Sequence, residues 1–125
     1  MNLRTGVDLI EIERFEKACS RHGERLLARI FTIQEILETG KNLESLAARF
    51  AAKEAVSKAL GTGIGEVAWH EIEILRGTAR EPILRLHGKA AQLAQESGLE
   101  SWALSLTHTR ALAMAFVVAS GPTPR

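Results

Sequence analysis

Along residues 43–59 the apolar positions recur with a helical period that charged residues interrupt. At about 100° per residue, Leu43, Leu46, Ala47 and Phe50 form one stripe, Glu54 falls on that stripe, and Lys58 follows one turn later. Burying an ionised carboxylate without a counter-charge is costly. Either the stripe reaches the surface, where Glu54 and Lys58 form an ordinary i, i+4 pair worth roughly 0.3–0.5 kcal/mol, or it receives a cation. Ala51, Ala52, Ala55 and Ala59 cover the other side and admit a close neighbour. Asn42 is placed to cap this helix and Gly61 to end it. Gly61-Thr62-Gly63-Ile64-Gly65 continues as a loop poor in side chains.

Residues 3–10 alternate as a strand, with Leu3, Thr5, Val7 and Leu9 on one face and Gly6, Asp8 and Ile10 on the other. Gly6 leaves space for a ligand beside Asp8, but Asp8-x-x-Glu11 also has the form of a helix cap with its reciprocal acid. From Ile12 the period becomes helical, with Ile12, Phe15, Ala18 and Cys19 inward. Arg14, Lys17, Arg21 and Arg25 align outward if the helix runs through Gly23, and Arg29 extends the stripe. Interleaved Glu13, Glu16 and Glu24 make it either a solvated face or a docking surface for an acidic protein.

Thr32-x-x-Glu35 predicts a capping box opening a short helix that Gly40 closes. Strands are predicted over 69–75 and 83–86, joined by a turn at 77–82. A helix over 89–96, stopped by Gly98, precedes strands over 102–107 and 111–119. The reading is α+β: one domain over 1–120, a mainly antiparallel sheet packed with helices, and a loose tail at 121–125. The last strand has Leu112, Met114, Phe116 and Val118 on one face and Ala111, Ala113, Ala115, Val117 and Ala119 on the other. With both faces apolar, the sheet either completes an internal core or packs subunits together.

Composition narrows the class. A chain of 125 residues, 46% hydrophobic, supports one modest core. Its single cysteine, Cys19, makes no internal disulfide and reads as packing, which fits a reducing, cytoplasmic setting. No long apolar run precedes the first acids, so neither a signal peptide nor a membrane span is expected. A net charge of +1 gives no indication of nucleic-acid binding. His70-Glu71 begins like a zinc-protease motif but has Ile74 where the second histidine belongs. Ser57 and Ser105 lack a triad or nucleophile elbow, and the glycine loop lacks P-loop and Rossmann spacing. Trp69 and Trp102 read as core or interface anchors. His108 reads as an acid-base group, a phosphate donor or a loop histidine.

Three motifs in order, GVDLIEIERF at 6–15, RFAAKEAVSKALGTGIG at 49–65 and SLTHT at 105–109, together resemble the holo-acyl-carrier-protein synthases, the short bacterial 4'-phosphopantetheinyl transferases. IFT with Glu35, and HEIEIL at 70–75, are also similar. The resemblance spans nearly the whole chain. It implies the 4'-phosphopantetheinyl transferase fold and transfer of 4'-phosphopantetheine from coenzyme A to a serine of apo-acyl carrier protein, for fatty acid biosynthesis, releasing adenosine 3',5'-bisphosphate.

It implies Mg2+ on carboxylates matching Asp8 and Glu54, and a homotrimer with active sites between subunits that pack through their sheets. By the same resemblance Lys58 contacts the phosphates, and His108, Gly61, Thr62 and Gly63 line the nucleotide end. Arg49 and Lys53 are further phosphate candidates. Arg14, Arg21 and Arg25 become carrier-protein contacts. The proton acceptor is either Glu54 or a metal-bound water. The competing classes are a coenzyme A-binding protein of the same fold without transferase activity, a purely structural trimer, and a metal-dependent coenzyme A hydrolase.

Overall fold

The computed structural model describes residues 1–122. Strand β1 (Asn2–Glu11) turns directly into α1 (Ile12–His22), followed by α2 (Glu24–Ile30) and α3 (Ile33–Thr39). Helix α4 (Leu43–Ala59) leads through the glycine loop to β2 (Ile72–Arg76) and β3 (Pro82–Leu86). The chain then forms α5 (Gly88–Glu96), β4 (Ser101–His108) and β5 (Leu112–Gly121). The strands form two antiparallel sheets, one ordered β1-β5-β4 and the other the β2-β3 hairpin. The α+β expectation holds, with the strands divided between two sheets.

Helix α4 lies across the three-stranded sheet. Its small residues Ala51, Ala52, Ala55 and Ala59 are buried in one cluster with strand positions that are themselves small, Ala115, Val117 and Ala119, while Ala47 and Ala48 share a second cluster with Ala113. Gly6 belongs to this contact. A Cβ there would collide with the carbonyl oxygen of Ala55, so Gly6 admits the helix backbone rather than a ligand beside Asp8. The opposite sheet face is uncovered: Leu3, Val7 and Leu9 of β1 and Leu112, Met114 and Phe116 of β5 are 38% to 59% exposed.

Local signals set several ends as expected. Asn42 Oδ1 accepts the Ser45 N–H at 2.9 Å, and Thr32 and Glu35 form the capping box that opens α3, which Gly40 closes. Other boundaries differ. Gly23, at φ 65°, ends α1 and separates it from α2, so the basic stripe is broken and Arg25 lies on a different helix from Arg14 and Arg21. Residues Trp69–Glu71 form a 3-10 turn before β2, where a strand is predicted. Gly121 completes β5 instead of starting a tail, and Thr123, Pro124 and Arg125 lie outside the described residues. Among the described residues no helix is long and apolar enough to cross a membrane.

Candidate active site

The two-residue period of β1 puts Asp8 on the same face as Gly6, toward α4, and the close seating of Gly6 brings the carboxylate to the last turns of that helix. Lys58 Nζ donates to Asp8 Oδ1 at 3.2 Å and to the Val7 carbonyl at 2.8 Å. Asp8 is not a cap: α1 starts after Glu11, with no side-chain cap bond. Glu54, one turn before Lys58, is half-buried. Burial pushes its carboxyl pKa up, the charge of Asp8 pushes it further, and Lys58 opposes both.

Two carboxylates thus share the neighbourhood of one ammonium, which leaves them short of positive charge. Hard oxygen donors in a half-open, anionic setting fit a magnesium ion, which commonly takes one or two carboxylates and completes its shell with water and phosphate oxygens. Among the described residues no cluster of three or more metal-ligating side chains exists.

A second constellation lies toward the start of α4. A pocket of about 220 Å³ is lined by Ser45, Arg49, Arg76, Arg80 and His108. It brings together Arg49 and His108, both singled out from sequence. Arg76 and Arg80 went unnoticed, because only the β2-β3 pairing returns the chain to the start of α4. His108 Nδ1 lies 3.6 Å from Glu44 Oε2. Ser45 and Glu54 are separated by nine residues, which at 1.5 Å and 100° each places them about 13 Å apart along α4 and on opposite sides.

Lys53 is not at either place. It is fully buried, and its ammonium donates to Glu35 Oε1 at 2.7 Å, the Ile72 carbonyl at 2.6 Å and the Trp69 carbonyl at 3.1 Å. All three donors of an ammonium are thereby used, so the expectation of a phosphate contact is corrected: Lys53 ties α4 to α3 and the hairpin. Burial pulls its pKa down and the Glu35 carboxylate opposes the shift.

In the glycine loop, the N–H groups of Gly61 and Thr62 close the end of α4 on the Lys58 and Ser57 carbonyls, so they are not spare donors for a ligand. Thr62 Oγ1 is the only buried side-chain polar atom without a partner among the described residues.

Between the end of β1, α1, α2 and α4 opens an apolar cleft of about 740 Å³ lined by Leu9, Ile10, Phe15, Leu26, Phe50 and Trp69, with Arg14 and Arg29 among its charged residues. Of the predicted docking arginines, Arg14 belongs to this cleft. Arg21 and Arg25 are exposed outside it.

A magnesium-fitting carboxylate pair beside a lysine, an arginine-rich anion pocket and an apolar cleft together describe a site for a phosphate-bearing substrate. Residues 4–116 match the model of the 4'-phosphopantetheinyl transferase superfamily, and the chain belongs to that superfamily. The holo-[acyl-carrier-protein] synthase of Herpetosiphon aurantiacus is 51% identical over 126 residues, with 95% of this chain and 99% of that protein covered. The Moorella thermoacetica protein of the same name is 49% identical, with 90% of each chain covered. A crystal structure of the Helicobacter pylori holo-[acyl-carrier-protein] synthase in complex with coenzyme A superposes with a TM-score of 0.85 at 32% identity, covering 93% of this chain and 99% of that one. Within the superfamily, this chain is a member of the holo-[acyl-carrier-protein] synthase family.

Proposed function

We propose that the protein transfers 4'-phosphopantetheine from coenzyme A to a serine hydroxyl of an apo-acyl carrier protein, releasing adenosine 3',5'-bisphosphate. In the reaction the serine oxygen forms a bond to the phosphorus that carries pantetheine. The bond from that phosphorus to the bridging oxygen of the diphosphate breaks, and the hydroxyl proton is released. The observation that carries this reading is the apposition of Asp8, Glu54 and Lys58 on two separate elements.

Asp8 and Glu54 would hold Mg2+, which would supply charge neutralisation for the diphosphate and its leaving group. Lys58 reaches the same phosphates with its ammonium, exchanging its contact with Asp8 for phosphate oxygens. The proton goes to Glu54 or to a water beside it. Arg49, Arg76, Arg80 and His108 receive the 3'-phosphate and the nucleotide end. The apolar cleft with Arg14 at its edge takes the face of an acidic carrier protein, with Arg21 and Arg25 outside it adding steering charge.

The diphosphate and 3'-phosphate of coenzyme A are one ribose apart, whereas the carboxylates and basic pocket of one chain face opposite sides of α4. We therefore assign the complete site to two adjacent subunits of a homotrimer packed through the exposed apolar face of β1 and β5. The setting is cytoplasmic, and the product supplies fatty acid biosynthesis.

The test is intact-protein mass spectrometry of an apo-acyl carrier protein incubated with this protein and coenzyme A. The expected result is a mass gain of one phosphopantetheine that disappears with excess chelator and returns with magnesium. No gain across several carrier proteins, with coenzyme A still bound, would instead support a binding protein. Coenzyme A cleavage without acceptor would mark a hydrolase.

A further inference from the structure

Helix α3 carries two carboxylates one turn apart, and each joins α4 to the hairpin. Glu35 accepts from Lys53 and from the Ile74 N–H at 2.9 Å. Glu38 repeats the arrangement one turn on: its Oε1 accepts from Arg49 at 3.0 Å and from the Arg76 N–H at 3.0 Å. The second rung has a feature the first lacks, because both of its donor residues line the basic pocket.

Arg49 is held from two directions. One end of its fork donates to Glu38 and the other to the Ile74 carbonyl at 2.8 Å, and its side chain is only 4% exposed. A guanidinium has five N–H donors in a fixed plane. Fixing two of them sets the direction of those left for a ligand in the pocket. The bond to the Arg76 N–H sets where the hairpin leaves α4, and with it the positions of Arg76 and Arg80.

We propose that Glu38 is a positioning residue for the basic pocket, holding Arg49 and the base of the β2-β3 turn so that the pocket favours the 3'-phosphate of coenzyme A over a substrate lacking it. This rests on the assignment of that pocket to the 3'-phosphate. The expected effect of removing Glu38 is opposite in sign to plain electrostatics. Glu38 is negative, so removing its charge would on charge grounds tighten anion binding, whereas loss of positioning weakens it.

The experiment measures kcat and KM for coenzyme A and for 3'-dephospho-coenzyme A in the wild type, Glu38→Gln, Glu38→Asp and Arg49→Met, with the thermal midpoint of each. The wild type is expected to favour coenzyme A, and Arg49→Met to lose that preference. Glu38→Gln keeps an oxygen for the Arg76 N–H but gives up the charged bond to Arg49. Its KM for coenzyme A is expected to rise roughly tenfold, the size of one weakened charge-assisted hydrogen bond, with kcat and the KM for dephospho-coenzyme A unchanged. Glu38→Asp keeps the charge but falls a methylene short, and the same selective rise is expected. An unchanged or lowered KM for coenzyme A in both Glu38 variants, while Arg49→Met loses the preference, overturns the positioning role and leaves the pocket assignment standing. A wild type indifferent to the 3'-phosphate overturns both.

Discussion

Lys53 and Glu54 are adjacent in sequence and opposite in environment. The lysine is fully buried in a set of three acceptors, and the carboxylate looks out at Asp8 and Lys58. Removing one member of a buried pair leaves the other charge uncompensated, so Lys53→Met is expected to cost about 3–5 kcal/mol, read as a fall in the urea midpoint. The fraction that stays folded should keep the KM for coenzyme A; a raised KM would return Lys53 to the ligand. Asp8→Asn and Glu54→Gln should instead leave the midpoint nearly unchanged and reduce transfer by about a hundredfold or more. Wild-type activity of either with magnesium present would remove the metal assignment. Sequence periodicity marked Glu54 as unusual but gave no sign of the buried Lys53, because α4 is buried around most of its circumference and has no single polar side for reference.

At the scale of elements, what was legible had local causes. The capping box at Thr32, the cap at Asn42 and the alternation of β1 are fixed by residues within one turn or one pleat. The 3-10 turn at Trp69, the separation of the hairpin from the main sheet and the return of Arg76 and Arg80 to α4 depend on partners far along the chain. Gly6 was noticed for the wrong neighbour, a ligand in place of a helix carbonyl. Gly6→Ala should therefore destabilise by about 1–3 kcal/mol, as overpacking does. It should also reduce transfer in the molecules that remain folded, since β1 must move away from α4 and carry Asp8 with it. Folded Gly6→Ala with full activity would separate the two effects.

The attachment of the hairpin to α3 has its own pH dependence. Burial alone would raise the Glu73 pKa, but hydrogen bonds from Thr32 Oγ1 at 2.6 Å and His87 Nε2 at 3.0 Å bring it below its usual range. A carboxyl depressed in the folded state contributes stability that is complete above its unfolded pKa of about 4.3 and is lost as pH falls through the lower folded value. Glu73→Gln should flatten the loss of stability below about pH 4 in urea titrations. An unchanged acid limb would show that Glu73 is not its source.

For the whole molecule, the apolar residues on both faces of the last strand left open an internal core or packed subunits, and the fold leaves one of those faces uncovered. Val7 pairs with Phe116 and Leu9 with Met114 across the uncovered side of the sheet. If the chain forms the trimer proposed above and neighbouring chains share each site, a charge there, as in Phe116→Glu, should leave monomers by light scattering and abolish transfer. Mixing inactive chains tests the sharing directly. One chain carries Glu54→Gln, which removes the acidic half, and the other carries Arg76→Glu and Arg80→Glu, which remove the basic half. After dissociation and reassembly at equal amounts, each interface draws its halves independently, so about a quarter of the sites regain both intact halves in a ring of identical contacts. Recovery near that fraction requires the carboxylates of one subunit to act with the pocket of its neighbour. No recovery, with mixed trimers formed, would mean that each chain holds its own complete site and that the 3'-phosphate lies elsewhere than beside Arg49 and His108.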